Sequence, residues 1–173
     1  MNRPKLALFE QIMLPHLDAA YNLARWLTRN EHDAEDVVQE AYLRAFRFFD
    51  GFKGGDSKAW LLAVVRNTSL TWRRREQRTD RVPFDEEMHH TGQEATVEEG
   101  LADQAALAGL RDCMEALPAE FRGVLVMREL EEMPYRDIAA VTNLPIGTVM
   151  SRLSRARRRL EECIGGRRKA TLR

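Results

Sequence analysis

Residues 133–162, MPYRDIAAVTNLPIGTVMSRLSRARRRLEE, constrain this chain more than any other stretch. Ile138, Ala139 and Val141 mark the inward side of a short helix that begins at Pro134 or Tyr135. TNLP follows, in which Asn143 tolerates the left-handed conformation of a sharp turn, Leu144 can plug the angle and Pro145 can open the next helix. Two helices joined this tightly, the second one basic, predict a helix-turn-helix. At about 100° per residue, Val149, Leu153, Ala156 and Leu160 share a narrow arc that must face a core. Ser151, Ser154, Arg155 and Arg158 lie opposite, flanked by Thr148 and Arg152. A recognition helix enters the major groove by its N-terminal part, so Thr148, Ser151 and Arg155 are candidate base readers, with Arg152 and Ser154 near them. The arginine fork matches the two acceptors on a guanine edge. Arg157, Arg158 and Arg159 lie further along and are expected at phosphates, which position without specifying. A basic helix can also be no more than a solvated surface; the short turn and the division of faces argue for DNA.

Yet the chain carries 27 basic and 27 acidic side chains, a formal net charge of zero. The charge is segregated. Residues 30–40, NEHDAEDVVQE, carry only acids (Glu31, Asp33, Glu35, Asp36, Glu40), residues 66–81 are basic, residues 85–103 are acidic again, and from Arg152 onward bases dominate. Alternation by segment implies more than one partner surface. No apolar run approaches the roughly 18–20 residues of a membrane span, and the N-terminus has Glu10 and His16 within its apolar stretch and no small-residue cleavage site, unlike a signal peptide. Cys113 and Cys163 stand alone, with no CxxC and no histidine at metal spacing, which predicts two separate packing or surface thiols in a reducing, cytoplasmic setting and no zinc site. His16, His32, His89 and His90 form no constellation with carboxylates or thiols, so neither catalytic residues, nor a metal, nor a cofactor is expected.

Nearly every other informative stretch has helical period. Leu17, Ala20, Tyr21, Ala24 and Leu27 repeat at helical spacing. Asp33 with Asp36 suggests the cap of a helix whose inner stripe is Val38, Ala41, Tyr42, Ala45 and Phe49. The glycines of FDGFKGGDS end it, and Asp56 or Ser57 caps a third helix with Leu61, Val64, Val65 and Thr68 inward. That helix runs into RNTSLTWRRREQR, where aromatic rings among arginines suit unstacked bases. Trp60 reads as core, while Trp72 fits either a core or a base-stacking position. The glycine loop before it lacks the ending of a phosphate loop but could close on an extruded base. An acidic helix does little for DNA, so residues 33–40 are expected to face a protein. Phe121, Val124, Leu125 and Leu130 mark a further helix, and the basic end IGGRRKATLR reads as a short tail. The expected fold is all-α: a helical domain over 1–78, a flexible acidic linker over 79–103, and a helix-turn-helix domain over 104–173.

DAEDVVQEAYLRAF, AWLLAVVRNTSLTWRRR, the acidic linker and ALPAEFRGVLVMRELEEMPYRDIAAVTNLPIGTVMSRLSRARRRL, in this order, resemble a bacterial extracytoplasmic-function sigma factor of the sigma-70 family, over nearly the whole chain. The resemblance implies a non-enzymatic, cytoplasmic protein that binds core RNA polymerase, directs it to promoter DNA, inserts in no membrane and is held by an anti-sigma factor. It implies that Asp33, Asp36, Gln39 and Glu40 dock on the polymerase clamp helices. Lys53, Asp56, Arg66, Asn67, Thr71, Trp72, Arg73 and Arg74 would hold the single-stranded −10 element. Thr148, Met150, Ser151, Arg152, Ser154, Arg155 and Arg158 would meet the double-stranded −35 element. The linker would thread toward the active-site cleft. Met150 stands where many relatives have a base, and Thr71 where they often have an acid. The competing expectation is a stand-alone helix-turn-helix regulator with a helical effector or dimerisation domain, binding operator DNA without polymerase.

Overall fold

The computed structural model describes residues 3–79 and 101–171. The acidic linker expected over 79–103, with His89 and His90, lies outside the described residues except at its two helical ends. Among the described residues every regular element is helical. α1 (Arg3–Met13) is followed by a 3-10 turn at Leu14–His16 that takes Pro15, then α2 (Leu17–Thr28), α3 (Glu31–Phe48) and α4 (Ser57–Thr79). α5 (Leu101–Ala116), α6 (Ala119–Leu125), α7 (Tyr135–Thr142) and α8 (Ile146–Thr171) make the second half.

Local chemistry fixes the boundaries. α2 stops at Arg29, which is left-handed (φ 63°), and Asn30 caps α3 by accepting the Asp33 N–H at 3.1 Å. The cap is thus Asn30 rather than the Asp33–Asp36 pair, because an N-cap must precede the first turn to reach its free N–H groups. Asp56 caps α4 as expected, its Oδ1 accepting the Ala59 N–H at 3.0 Å. Gly54 and Gly55, at φ 85° and 95°, turn the chain just before that cap, a conformation that side chains with a Cβ resist. Above the turn, Phe52 stacks on Phe49 and tilts against Trp60 at 5.3 Å. α6 opens into a π-helical turn at Val126–Leu130, and Glu132 beyond it is left-handed (φ 53°). That extra residue per turn is a known device at functional positions; here it carries Glu131 out toward the first half.

The core residues of both halves form one continuous cluster. Leu23, Ala24, Ala34, Val37, Ala41, Leu61 and Val65 fill the first half, and Val124, Met127, Ile138, Val149, Leu153 and Ala156 fill the second, all but removed from water. Burying each of the large aliphatic side chains contributes about 1.5–3 kcal/mol. Leu17 and Leu130, which share the helical spacing read in the sequence, are exposed. Leu17 occupies the first position of α2, where no facing helix covers it, and Leu130 closes the π-helical turn that rotates it outward.

The halves dock through α2 and α4 against α6 and α7. Arg122, buried to 1 % exposure, is the bolt. Its Nε donates to the Trp26 carbonyl on α2, and its Nη1 donates to the carbonyls of Glu115 (2.9 Å) and Leu117 (2.8 Å). Burial, and then the charges of Arg29 and Arg73, lower its pKa to about 10, which leaves it cationic at neutral pH. Glu131 is a second fastener: it accepts from Asn22 Nδ2 at 3.0 Å and ion-pairs with Lys58 Nζ at 2.9 Å. Lys58 also donates to the Glu131 carbonyl at 3.0 Å. Where Gly123 faces Leu27, a Cβ would sit 3.4 Å from that leucine, so α2 and α6 approach closely.

Two expectations about the second half are corrected. Cys113 and Cys163 are not separate thiols: a disulfide joins them across 50 residues, with Cα atoms 5.8 Å apart. Spacing in sequence could not show that α5 and α8 lie side by side. The basic end is not a tail either, since α8 continues through Gly165 and Gly166 to Thr171, packed on α5.

Candidate nucleic-acid interface

The turn between α7 and α8 has the anticipated construction. Asn143 is left-handed (φ 55°, ψ 42°), and the Leu144 N–H donates to the Ala139 carbonyl at 3.1 Å. Thr142, buried, returns its hydroxyl to the Ile138 carbonyl at 2.7 Å. Pro145 lies just ahead of α8, its carbonyl accepting from Thr148 and Val149. Val149, Leu153 and Ala156 are fully inside, which fixes the rotation of α8 about its axis.

That rotation sorts the arginine-rich run. Met150, Ser151, Ser154, Arg155 and Arg158 are exposed, and Thr148 and Arg152 are half-buried at the flank. Gly147 has open space around it, so the exposed strip is smooth at the end that would enter a groove. Ser151 gives its hydroxyl to the Thr148 carbonyl (3.0 Å) and keeps its oxygen as an acceptor. Other arginines are already engaged. Arg157 sets its fork on Glu129 (2.9 and 2.6 Å), Arg159 lies 4.9 Å over the Phe121 ring, and Arg152 pairs with Glu120 at 3.6 Å. The run that looks uniform in sequence is thus divided: Arg152 and Arg157 are partly buried in ion pairs, and Arg159 stays exposed over its ring. Ile146, not singled out in the sequence, is 48 % exposed one turn before Met150, which is 51 % exposed. A proline-led helix start marks its position, but its exposure needed the fold.

On α4 and the preceding loop, Lys53, Asp56, Asn67 and Arg74 are exposed, whereas Arg66, Thr71, Trp72 and Arg73 are half-buried. Thr71 donates to the Asn67 carbonyl at 3.0 Å. Trp60 and Trp72 both pack against the core, and the Trp72 Nε1 is buried with no hydrogen-bond partner. Arg66 and Arg73, partly buried, turn toward the seam. They line a cavity of about 420 Å³ at the seam, together with Leu27, Glu120, Met127 and, from the recognition helix, Arg152. Burial, and then the Arg152 charge, push the Arg66 guanidinium below its ordinary pKa. Two basic groups that read in sequence as belonging to separate surfaces thus face each other.

The third set lies away from the seam. Asp36 and Gln39 are exposed on α3 and line a shallow groove with Leu14, Leu17, Asp18, Tyr21, Glu35 and Tyr42. Leu14 (48 % exposed) and Leu17 (43 % exposed) give it an apolar floor among carboxylates. Tyr42 is anchored by donating to the Met13 carbonyl at 2.9 Å, and burial followed by the Asp18 charge lifts its pKa to about 12. Asp33 is half-buried near the α3 cap, and Glu40 is bound to Arg44 and Arg75, so these two are less available than Asp36. Among the described residues no group of His, Cys, Asp and Glu side chains could hold a metal ion, and no helix is long and apolar enough to cross a membrane.

An all-α pair of bundles, the second a helix-turn-helix with an exposed polar and basic strip, has the build of a DNA-binding protein. Family models for sigma-70 region 2 and sigma-70 region 4 match residues 12–79 and 107–160. The chain is 32% identical over 155 residues to the ECF RNA polymerase sigma factor SigE of Mycolicibacterium smegmatis, covering 89% of this chain and 60% of that one. It is 32% identical over 151 residues to the ECF RNA polymerase sigma-E factor of Haemophilus influenzae, covering 82% of this chain and 79% of that one. Its fold matches the sigma factor RpoE of Bartonella quintana, solved in complex with the anti-sigma factor NepR, with a TM-score of 0.74 at 30% identity, covering 91% of this chain and 96% of that one. The chain belongs to the extracytoplasmic-function sigma factors of the sigma-70 family, which are factors of promoter-specific transcription initiation.

Proposed function

We propose that this chain binds core RNA polymerase through the α2–α3 groove and carries it to promoters, with α8 on the −35 duplex and α4 with its preceding loop on the opened −10 strand. The observation that carries the reading is the sorting of α8: Met150, Ser151, Ser154, Arg155 and Arg158 are held outward while Val149, Leu153 and Ala156 lock the helix in place. Arg155 fits a guanine edge, and Arg158 a phosphate. Met150 and Ile146 supply apolar surface of the kind that meets a thymine methyl. Thr148 and Arg152 flank the strip. On the first half, Lys53, Asn67 and Arg74 reach the strand directly, with Asp56, Thr71 and Trp72 supporting them. A groove with a leucine floor and carboxylate rims at Asp36 and Glu35 suits a basic amphipathic helix of the polymerase, with Gln39 beside it and Asp33 and Glu40 behind.

The promoter-bound arrangement differs from the docked one on length alone. The −35 and −10 elements lie about 25 base pairs apart, which is about 85 Å at about 3.4 Å per pair. A compact chain of 173 residues has a radius of gyration of about 16 Å. The docked form is accordingly the unengaged factor, and parting the seam frees Arg66, Arg73 and Arg152 together. The division into domains 1–78 and 104–173 with an acidic linker between them belongs to this reading, because independent halves can separate without unfolding. The protein works in the cytoplasm with the polymerase, carries out no catalysis itself, and in its docked form is bound by an anti-sigma factor.

The test is transcription with purified core polymerase on a random promoter library. The reading expects a defined −35/−10 pair among the selected promoters. It also expects Asp36→Arg with Gln39→Arg to abolish core binding while helicity is unchanged. A protein that footprints an operator alone and starts no transcript with core polymerase contradicts it.

A further inference from the structure

The disulfide lies where it controls how α8 ends. In α5 the side chains of Cys113 and Met114 are buried near the C-terminal end, as is Leu117 just beyond it, whereas residues 102–108 are exposed, as is Leu110. α8 leaves the helical core after Leu160: Glu161 and Glu162 are exposed, Cys163, Ile164 and Gly165 are half-buried, and residues 166–170 are exposed. The run includes Gly165 and Gly166, and glycine is the poorest helix former after proline. Such a segment does not hold a helix by propensity. It is held against α5 by the Cys113–Cys163 bond, by the Arg167–Asp112 ion pair at 3.0 Å, and by the Arg167 stem lying over Gly109, 3.8 Å from where a Cβ would stand. Arg155, a candidate base reader, is on the same helix about 12 Å upstream of Cys163 at about 1.5 Å per residue.

We propose that Cys113 and Cys163 form a reversible thiol–disulfide switch on the helix-turn-helix half. Oxidised, the pair keeps the basic end of α8, with Arg167, Arg168 and Lys169, helical and docked on α5; reduced, that end frays and α5 loosens. In a reducing compartment a protein disulfide is typically transient or redox-sensing rather than a permanent brace. Exposure sets the order of events, since Cys163 is half-buried and Cys113 is 1 % exposed. The Cys163 thiolate attacks a small-molecule disulfide and expels one of its sulfurs as a thiolate. The Cys113 sulfur then attacks the mixed disulfide at Cys163 and expels the second. Two protein thiols are oxidised, one small disulfide is reduced to two thiols, and the two protein protons pass to the departing thiolates. Excess small thiol runs the same steps backward.

The experiment equilibrates the full chain in buffers of reduced and oxidised glutathione and reads alkylated thiols by mass spectrometry. Amide hydrogen exchange is then followed over residues 161–170. The bond is expected to form and to reverse with the glutathione ratio. Reduction is expected to cut amide protection at the end of α8 by about tenfold or more, with little change at residues 149–156. Cys163→Ser should match the reduced wild type, which itself carries no substitution and so separates loss of the bond from a folding defect. Thiols that stay free in oxidised glutathione, or a bond that forms without changing protection, would overturn the switch. Binding to a library-selected promoter by the holoenzyme is the functional arm, and that arm rests on the −35 assignment to α8. Affinity is expected to fall by about threefold on reduction as basic side chains near the phosphates lose order. Equal affinity in both redox states overturns the functional claim. Redox-dependent protection with no promoter binding in either state would instead overturn the −35 assignment and leave the switch standing.

Discussion

α4 and α8 are both long helices rich in arginine, and they use that charge in opposite ways. α8 turns Arg155 and Arg158 outward and spends Arg152, Arg157 and Arg159 on Glu120, Glu129 and the Phe121 ring. α4 exposes Arg74 but turns Arg66 and Arg73 into the seam cavity. The lesson is that an arginine count does not measure a DNA-binding surface; the neighbours that already hold each guanidinium do. It follows that α8 can offer its strip in the docked form, while α4 offers Arg74 there but Arg66 and Arg73 only after the seam parts.

The largest expected effect concerns the seam itself. Arg122→Ala removes a buried cation and strands three carbonyls on α2 and around the end of α5. It should cost about 3 kcal/mol or more, since bonds to charged groups contribute about 1.5–3 kcal/mol each and a cavity adds to the loss. Denaturant unfolding measures it, and a loss under about 1 kcal/mol would break the picture of a bolted seam.

The arginines of α8 come next. Arg155→Ala should cost about 1–3 kcal/mol at one base pair and relax selection there. Arg157→Ala should weaken all promoter variants alike, because its fork is committed to Glu129 and supports the fold. Promoter-variant binding profiles distinguish the two, and identical profiles would erase the contrast drawn between tied and presented arginines.

A smaller effect sharpens the reading of Met150. Replacing single −35 thymines by deoxyuridine removes only a methyl group, worth about 0.8 kcal/mol when fully buried, or about fourfold in affinity. One position should show this sensitivity with wild-type protein and lose it with Met150→Ser. Sensitivity that survives the substitution would move the contact to Ile146.

The smallest effect is pH dependence at the seam. Asp56 on the first half and Asp137 on the second perturb each other's carboxyl across the seam. Burial and then the Asp56 carboxyl raise the Asp137 pKa above its ordinary value, while the Ala59 N–H is the first cause holding Asp56 below its own. A raised carboxyl pKa means that the folded state binds the proton more tightly. The contribution is therefore fully present below the unfolded value of 3.8 and fades as pH rises through the raised one. Asp137→Asn should flatten this part of the profile and leave the protein slightly more stable than wild type near pH 7. Parallel wild-type and variant melting curves from pH 4 to 7 would deny the pair any role.

Much of this was legible in the sequence, and for identifiable reasons. Asn143, Pro145 and the Val149–Leu153–Ala156 arc announce the α7–α8 turn because backbone conformation and helical period are local properties. Asp56 announces the start of α4 in the same way. The seam was not legible, because it depends on which halves meet. Even so, Arg122 left a trace as the one charge within FRGVLVM, an otherwise apolar run that is buried throughout from Phe121 to Met127. The disulfide left none, since Cys113 and Cys163 are neighbours only through the packing of α5 on α8. Charge segregation pointed to a partner for α3, but the leucine floor supplied by Leu14 and Leu17 came from the fold.

The most direct measurement is the distance between α4 and α8, read by fluorescence transfer between dyes on non-natural residues at the exposed positions Gln77 and Glu161, which spares the cysteines. A seam that is docked in the free chain and parts on the promoter predicts a short distance in the free chain and an increase of tens of ångströms, toward the about 85 Å between the promoter elements, in the polymerase–promoter complex. A complex that starts transcripts with the free-chain distance unchanged would contradict it.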